Sequence, residues 1–270
     1  MRIGSRDFAT TGHTYIMGIL NVTPDSFSDG GKFNQIDAAL KHAEEMIRDG
    51  ADVIDIGGES TRPWGYTKIS DEEETDRVVP VIEAVKKEFG IPISVDTYKS
   101  GVAEAAAQAG ADLINDIWGL KYDPHMSEVI AKSGLACCLM HNRDNTEYRN
   151  FMEDMKQDLR ETIALAKAAG IADDKIILDP GVGFAKSYEN NLEVIRRLKE
   201  FNELKYPVLL GTSRKSVIGL TIDLPAAERV EGTIVTTVMA VEAGCMFVRV
   251  HDVKENHRAI QMAEAILDRK

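Results

Sequence analysis

Short apolar runs alternate with longer amphipathic stretches along the chain. The runs are Tyr15–Leu20, Val53–Ile56, Ile93–Val95, Leu113–Ile114, Leu135–Met140, Ile176–Leu178, Val208–Leu210 and Met246–Val250. They are rich in β-branched residues and bounded by Gly, Asp or Pro, as strands buried on both faces should be. Between them, Asp37–Arg48, Asp71–Phe89, Phe151–Ala169, Asn190–Leu204 and Ala226–Ala243 carry helical patterns. Gly50, Gly110 and Gly244 each fall just after a predicted helix and just before a run, and Gly170 does so with a slightly longer loop. Glycine at that point supplies the left-handed conformation that ends a helix. Repeated strand–helix units without a linker or low-complexity break predict an α/β fold, a (β/α)8 TIM barrel, as a single domain over residues 1–270. The rival is an open, doubly wound sheet. Its glycine-rich dinucleotide turn is missing, because Gly18-Ile19-Leu20-Asn21 has the wrong spacing.

Composition narrows the chemistry. The chain length of 270 residues is close to the roughly 250 of a closed barrel, and 44% hydrophobic content supports a large core. A formal net charge of −12, with no Lys/Arg-rich run, argues against nucleic acid and against an anionic membrane surface as partners. An anionic substrate would need a local positive island. Cys137, Cys138 and Cys245 are the only cysteines. The adjacent pair points to opposite faces of a strand, so small core residues and a reducing, cytoplasmic setting are expected. No apolar stretch reaches the roughly 18 residues of a membrane span, and no signal-peptide core is evident.

Chemistry in such a barrel sits at the C-terminal ends of the strands. The polar residues there are Asn21 after the first run, Asp55 in the second with Glu59 beyond it, Asp96 after the third, and Asn115 with Asp116 after the fourth. His141, Asn142 and Arg143 follow the fifth, Asp179 the sixth, and Ser213 to Ser216 the seventh; the eighth brings Arg249 and His251. Some of these are expected to be helix caps, Asp96 with Thr97 and Asp252 among them. Asn115, Lys215, Arg249 and His251 are not cap-like choices. Asp96, Asn115 and Asp179 form an acceptor-rich wall suited to a flat heterocycle bearing N–H donors. Lys215, Arg249, His251 and Asn21 suit an oxyanion or a metal-bound phosphate.

Seven segments, in order, resemble the signatures of the dihydropteroate synthases. The first runs from Gly18-Ile19-Leu20-Asn21 through Thr23-Pro24-Asp25-Ser26 to Gly31, and the second is Asp55-Ile56-Gly57-Gly58-Glu59-Ser60-Thr61-Arg62-Pro63. The others are Ser94-Val95-Asp96-Thr97, Ile114-Asn115-Asp116-Ile117, Leu178 to Phe184, Gly211 to Ser216 and Arg249 to Val253. The resemblance implies a transferase that condenses 6-hydroxymethyl-7,8-dihydropterin pyrophosphate with p-aminobenzoate in folate biosynthesis. It implies pterin binding by Asp96, Asn115, Met140, Asp179 and Lys215, with Met140 open to an ordinary core reading. It implies pyrophosphate binding by Asn21, Arg249 and His251, with Asn21 also a ligand of Mg2+, the expected cofactor. Thr61, Arg62, Pro63, Phe184, Lys215 and Ser216 would surround p-aminobenzoate, with Phe27 and Asp29 on a closing loop. Catalysis would rest on Lys215, Arg249, His251 and Asp96, by leaving-group stabilisation without an obligatory general base. Glu59 is expected to brace loop two through Arg62. A homodimer and sulfonamide competitors are also implied. Trp64 intervenes before Gly65 where family members have Gly directly after Thr-Arg-Pro, which leaves an anchor or a lid as readings of the indole. The alternatives are a pterin-binding methyltransferase barrel of a corrinoid system, which should lack the Ser213-Arg214-Lys215 and Arg249-Val250-His251 segments, and an inactive folate-binding scaffold.

Overall fold

The chain's computed structural model describes residues 1–23, 32–60 and 68–269. Phe27, Asp29, Thr61, Arg62, Pro63 and Trp64 lie outside the described residues. An antiparallel hairpin opens the chain, β1 (Arg2–Ile3) and β2 (Arg6–Asp7). Eight parallel strands follow: β3 (Tyr15–Asn21), β4 (Val53–Gly57), β5 (Ile93–Asp96), β6 (Leu113–Asp116), β7 (Ala136–Met140), β8 (Ile176–Asp179), β9 (Leu209–Leu210) and β10 (Phe247–Val250). They pair in the order β8-β7-β6-β5-β4-β3-β10-β9. A parallel bridge between Leu178 and Val208, with the Leu178 N–H donating to the Pro207 carbonyl at 2.9 Å, joins the two ends. Every one of the eight apolar runs is a strand of this ring.

The helices between them are α1 (Lys32–Arg48), α2 (Asp71–Phe89), α3 (Ser100–Ala109), α4 (Met126–Ser133), α5 (Phe151–Ala168), α6 (Tyr188–Arg196), α7 (Ser216–Ile222), α8 (Val230–Ala243) and α9 (Val253–Ile266). α2 shows the local causes. Ser70 Oγ accepts from the Glu73 N–H at 3.1 Å, four acids fill the first turn, Lys86 and Lys87 the last, and Gly90 ends it at φ 62°. Each complements the unpaired backbone groups and partial charge at its end. Gly50, Gly110, Gly170 and Gly244 all take positive φ, as their positions demand. Two predicted helices are shorter. Asn190–Leu204 divides into α6 and a 3-10 segment at Leu198–Leu204, and Ala226–Ala243 begins as a helix only at Val230. Helical periodicity does not distinguish an α-turn from the tighter 3-10 turn beside it.

The alternation along each strand builds two apolar layers. Ile16, Leu20, Ile54, Ile56, Val95, Ile114, Cys137, Leu139 and Val248 face outward and pack under the helices. Met17, Val53, Leu113, Cys138, Ile177, Leu209 and Phe247 face inward and fill the N-terminal half of the barrel, where Ile3 and Phe8 from the opening hairpin cover them. Each fully buried Leu, Ile or Phe contributes about 1.5–3 kcal/mol. Cys137 and Cys138 do fall on opposite faces, both buried and unbonded. Two residues further along the same inward faces the side chains turn polar: Val53 gives way to Asp55, Leu113 to Asn115, Ile177 to Asp179 and Phe247 to Arg249. The barrel is thus apolar at one end and charged at the other.

Candidate active site

Parallel register sets the rim. Asn21 pairs with Gly57, Gly57 with Asp96 and Asp96 with Asn115, so four strands present these positions side by side. Arg249 reaches across from β10. Its Nε donates to Asp55 Oδ2 at 2.5 Å and its Nη2 to Asp96 Oδ2 at 2.7 Å. Asn115 Nδ2 donates to the same Asp55 oxygen at 3.3 Å. The guanidinium fork suits two carboxylates that would otherwise repel each other. Burial opposes its charge, but Asp55 and Asp96 outweigh burial and hold its pKa above the usual value. Burial pushes Asp96 up to about 7, with Arg249 acting against that rise. Asp55 Oδ1 and Asp96 Oδ1 are buried and have no hydrogen-bond partner among the described residues. Such acceptors are costly unless a ligand donates to them.

The other wall comes from β7, β8 and the segments after β8 and β9. Asp179 Oδ1 accepts from the Gly181 N–H at 2.7 Å. Burial raises the Asp179 pKa, opposed first by Lys215 and then by that N–H. Lys215 donates to the Val182 carbonyl at 2.6 Å, and its ammonium lies 4.8 Å from the centre of the Phe184 ring. Burial lowers its pKa to about 8, against the pull of Asp179. A Cβ on Gly211 would stand 3.5 Å from Asp179 Oδ2 and 3.9 Å from both Arg249 Cβ and Lys215 Nζ, which places this glycine where the three side chains converge. Met140 packs with Tyr98 and Ile117 beside the half-buried Trp118 and Phe184, apart from both large apolar layers. Its Cγ lies 3.2 Å from where a Gly181 Cβ would stand, which puts it beside the turn after β8. Ser216 is exposed at the start of α7.

The third group gathers after β10. His251 Nδ1 lies 3.0 Å from Ser213 Oγ, which accepts the His251 N–H at 3.1 Å. Arg214 makes two bonds to Asp252, at 3.0 and 2.5 Å, and clamps the segment after β9 to the start of α9. Asn21 is exposed at the end of β3, and its Oδ1 and Asp96 Oδ2 lie 3.7 and 3.8 Å from where a Gly57 Cβ would stand.

Several expectations change. Asp96 and Thr97 do not cap α3: Lys99 holds that position without a side-chain cap bond, and Asp96 turns to Arg249. Asp252 precedes α9 but spends its carboxylate on Arg214 rather than on the helix. Lys215 itself occupies the position before α7, with its side chain directed to Val182. Glu59 accepts from Tyr98 Oη at 2.5 Å, Lys99 Nζ at 2.7 Å and the Ile69 N–H at 3.0 Å, so its described bonds brace the far end of loop two. Its expected partner Arg62 lies outside the described residues. Asp55 had no assigned role, although a carboxylate between Ile54 and Ile56 was the available signal. Lys186 gave no signal, because nothing near it in sequence predicts its neighbours.

Charged groups at the C-terminal mouth of a closed parallel barrel place this chain, as a class, among the (β/α)8-barrel enzymes. Residues 17–251 match the pterin binding enzyme family. The dihydropteroate synthase of Clostridium beijerinckii is 62% identical over 270 residues, covering 100% of both chains. The crystal structure of dihydropteroate synthase from Clostridium difficile in the presence of pteroic acid superposes with a TM-score of 0.93 at 52% identity, over 100% of each chain. The Yersinia pestis enzyme, in a sulfonamide drug complex, gives 0.93 at 42% identity over 99% of each. The chain belongs to the pterin-binding enzyme family and, within it, to the dihydropteroate synthases, which are transferases. That membership favours the synthase over the corrinoid methyltransferase.

Proposed function

We propose that this chain, acting as a single domain, joins 6-hydroxymethyl-7,8-dihydropterin pyrophosphate to p-aminobenzoate and releases pyrophosphate and 7,8-dihydropteroate. The observation that carries the reading is the convergence of Asp96, Asn115 and Asp179 with Lys215 and Arg249 at one barrel mouth, where one buried oxygen each of Asp55 and Asp96 has no donor among the described residues. The pterin edge supplies an N–H donor to the unpartnered oxygen of Asp96 and further N–H donors to Asp179, with Asn115 beside them and Met140 against the ring. Lys215 lies between Asp179 and Phe184, where it faces both the pterin and the aromatic amine.

In the displacement, the arylamine nitrogen attacks the pterin methylene carbon, the carbon–oxygen bond breaks, and pyrophosphate leaves with the electron pair. The surplus amine proton passes to solvent. The neutral amine is already nucleophilic, so the protein's task is to stabilise the departing charge and any cationic character on the ring. Arg249 and His251 face the pyrophosphate, and ionised Asp96 and Asp179 face the ring. Phe184, Lys215 and Ser216 border p-aminobenzoate, together with Thr61, Arg62 and Pro63, and with Phe27 and Asp29 on the first loop.

Among the described residues no cluster of three His, Cys, Asp or Glu side chains forms a metal cage. Mg2+ does not need one, because it keeps several waters and binds through one or two protein oxygens plus substrate phosphates. The exposed Asn21 amide oxygen beside Asp96 is a donor of that kind. When bound, Mg2+ adds positive charge beside the leaving pyrophosphate.

Sulfonamides are proposed as competitors for the p-aminobenzoate position, in keeping with the Yersinia pestis complex. A homodimer is proposed through α8 and α9, where Val235 is 59% and Met262 62% exposed. No helix among the described residues is long and apolar enough to cross a membrane. A cytoplasmic setting is proposed from the three unbonded cysteines. The test is pyrophosphate release on mixing the two substrates with Mg2+. Binding of both substrates without release would support the inactive scaffold instead.

A further inference from the structure

Behind the Asp179 turn runs a line of charged groups that the displacement does not use. Lys186 Nζ donates to three acceptors, His141 Nδ1, the Gly181 carbonyl and the Phe184 carbonyl, each at 2.9 Å. His141 follows β7 and is buried; its Nε2 lies 2.9 Å from Asp158 Oδ2 on α5. Asp158 also accepts from Arg143, at 2.5 and 3.1 Å. An imidazole nitrogen that accepts from an ammonium carries no proton of its own. The ring proton of a neutral His141 therefore sits on Nε2 and is donated to Asp158. Burial, and next the charge of Lys186, hold His141 down to about 4, which keeps the ring neutral.

We infer that Lys186 is a positioning residue for the pterin, fixing the turn that aims Asp179 and the Phe184 ring. Gly181 is gripped at both ends: its N–H holds Asp179 Oδ1 and its carbonyl accepts from Lys186. Phe184 is held through its carbonyl by Lys186, while Lys215 lies over its ring. The Phe184 N–H closes the turn on the Gly181 carbonyl at 3.1 Å, and Tyr148 Oη steadies Ala185. Three acceptors meeting at one atom require an ammonium, the side-chain group with three donors on a single nitrogen. The positive charge also favours ionised Asp179. Asp179 from β8, Lys215 from the segment before α7, Asp158 from α5 and Arg143 with His141 from the segment after β7 all face Lys186. Burial lowers it to about 7, against Asp179. Deprotonation removes one donor and the charge, so the positioning weakens as pH rises through that value.

The inference rests on the pterin reading of Asp179, and the experiment separates the two. Lys186→Met is expected to weaken pterin affinity by calorimetry, and to raise the KM for the pterin pyrophosphate, about 10- to 100-fold, the cost of charge-assisted hydrogen bonds. The KM for p-aminobenzoate at saturating pterin should rise by less, because only the Phe184 end of the turn borders that substrate. Lys186→Gln, which keeps an N–H donor without charge, should fall between, and it serves if the Met variant does not fold. Nitrogen NMR should find His141 as the Nε2–H tautomer in the parent protein, and its pKa should rise in either variant. In parallel, Asp179→Asn with full pterin affinity would overturn the pterin reading and this inference with it. Loss in Asp179→Asn but not in either Lys186 variant would overturn this inference alone. So would an equal rise in both KM values, or an Nδ1–H tautomer in the parent protein.

Discussion

At the scale of single residues, the site is a problem of buried charge. Asp55 and Asp96 share one guanidinium, and each keeps an oxygen without a partner among the described residues. Desolvation favours protonated Asp96 up to about pH 7. Pterin N–H donors need the ionised form, so ligand affinity is expected to fall as pH drops through that value. Binding just below neutrality should then release a proton. Calorimetry in two buffers of different ionisation enthalpy measures it, and Asp96→Asn should abolish it. Arg249→Ala removes a donor to the leaving group and leaves two buried carboxylates without their shared cation. Turnover, followed by pyrophosphate release, should fall about 100- to 1000-fold, the effect of one preorganised donor. Because Arg249 also holds Asp96, pterin affinity should decline as well, though by less than turnover. A variant within a few-fold of the parent would remove Arg249 from the leaving-group account.

At the scale of elements, turns decide where side chains aim. Gly181 has φ 68°, and a Cβ there would stand 2.1 Å from the His141 carbonyl oxygen. Gly134 has nearly the same φ, 66°, with nothing among the described residues within 4 Å of its Cβ position. Gly134→Ala should therefore cost only the left-handed strain, about 1–2 kcal/mol in urea unfolding. Gly181→Ala should cost more, because backbone must move, and it should also lower pterin affinity by displacing Asp179. Equal losses in the two variants would mean that the segment after β7 yields freely. The strands themselves were legible: alternating faces, β-branched content and glycine punctuation marked all eight. The opening hairpin was not, because two-residue strands are too short to show a period. Nor were the 3-10 segments, whose residues share the composition of the helices they adjoin.

At the scale of the molecule, a chain of net charge −12 carries its local positive groups, Lys186, Lys215 and Arg249, toward one end of the barrel. The balance suits two anionic substrates held in a small region rather than along an extended polyanion. The opposite concern is apolar exposure. Val235 and Val238 on α8 and Met262 and Ile266 on α9 face outward. Such patches mark association surfaces, and the proposed dimer covers this one. Sedimentation equilibrium should give a dimer for the parent protein and a monomer for Val235→Glu. A parent protein that is monomeric at micromolar concentration would end the dimer proposal.

The linear order of residues determined the closed barrel, the inward and outward faces of each strand, and the polar character of the rim. These follow from periods of two and 3.6 and from where polar residues interrupt apolar runs, all of which are local properties. Pairing across the barrel was decided only in three dimensions. Arg249 and Asp55 are distant in sequence, as are Lys186 and His141, and no local pattern says which cation meets which carboxylate or carbonyl. The cap reading of Asp96 failed for the same reason: a short polar side chain before a helix serves equally as a cap or as a rim group. Barrel closure settles the choice by bringing a guanidinium within reach.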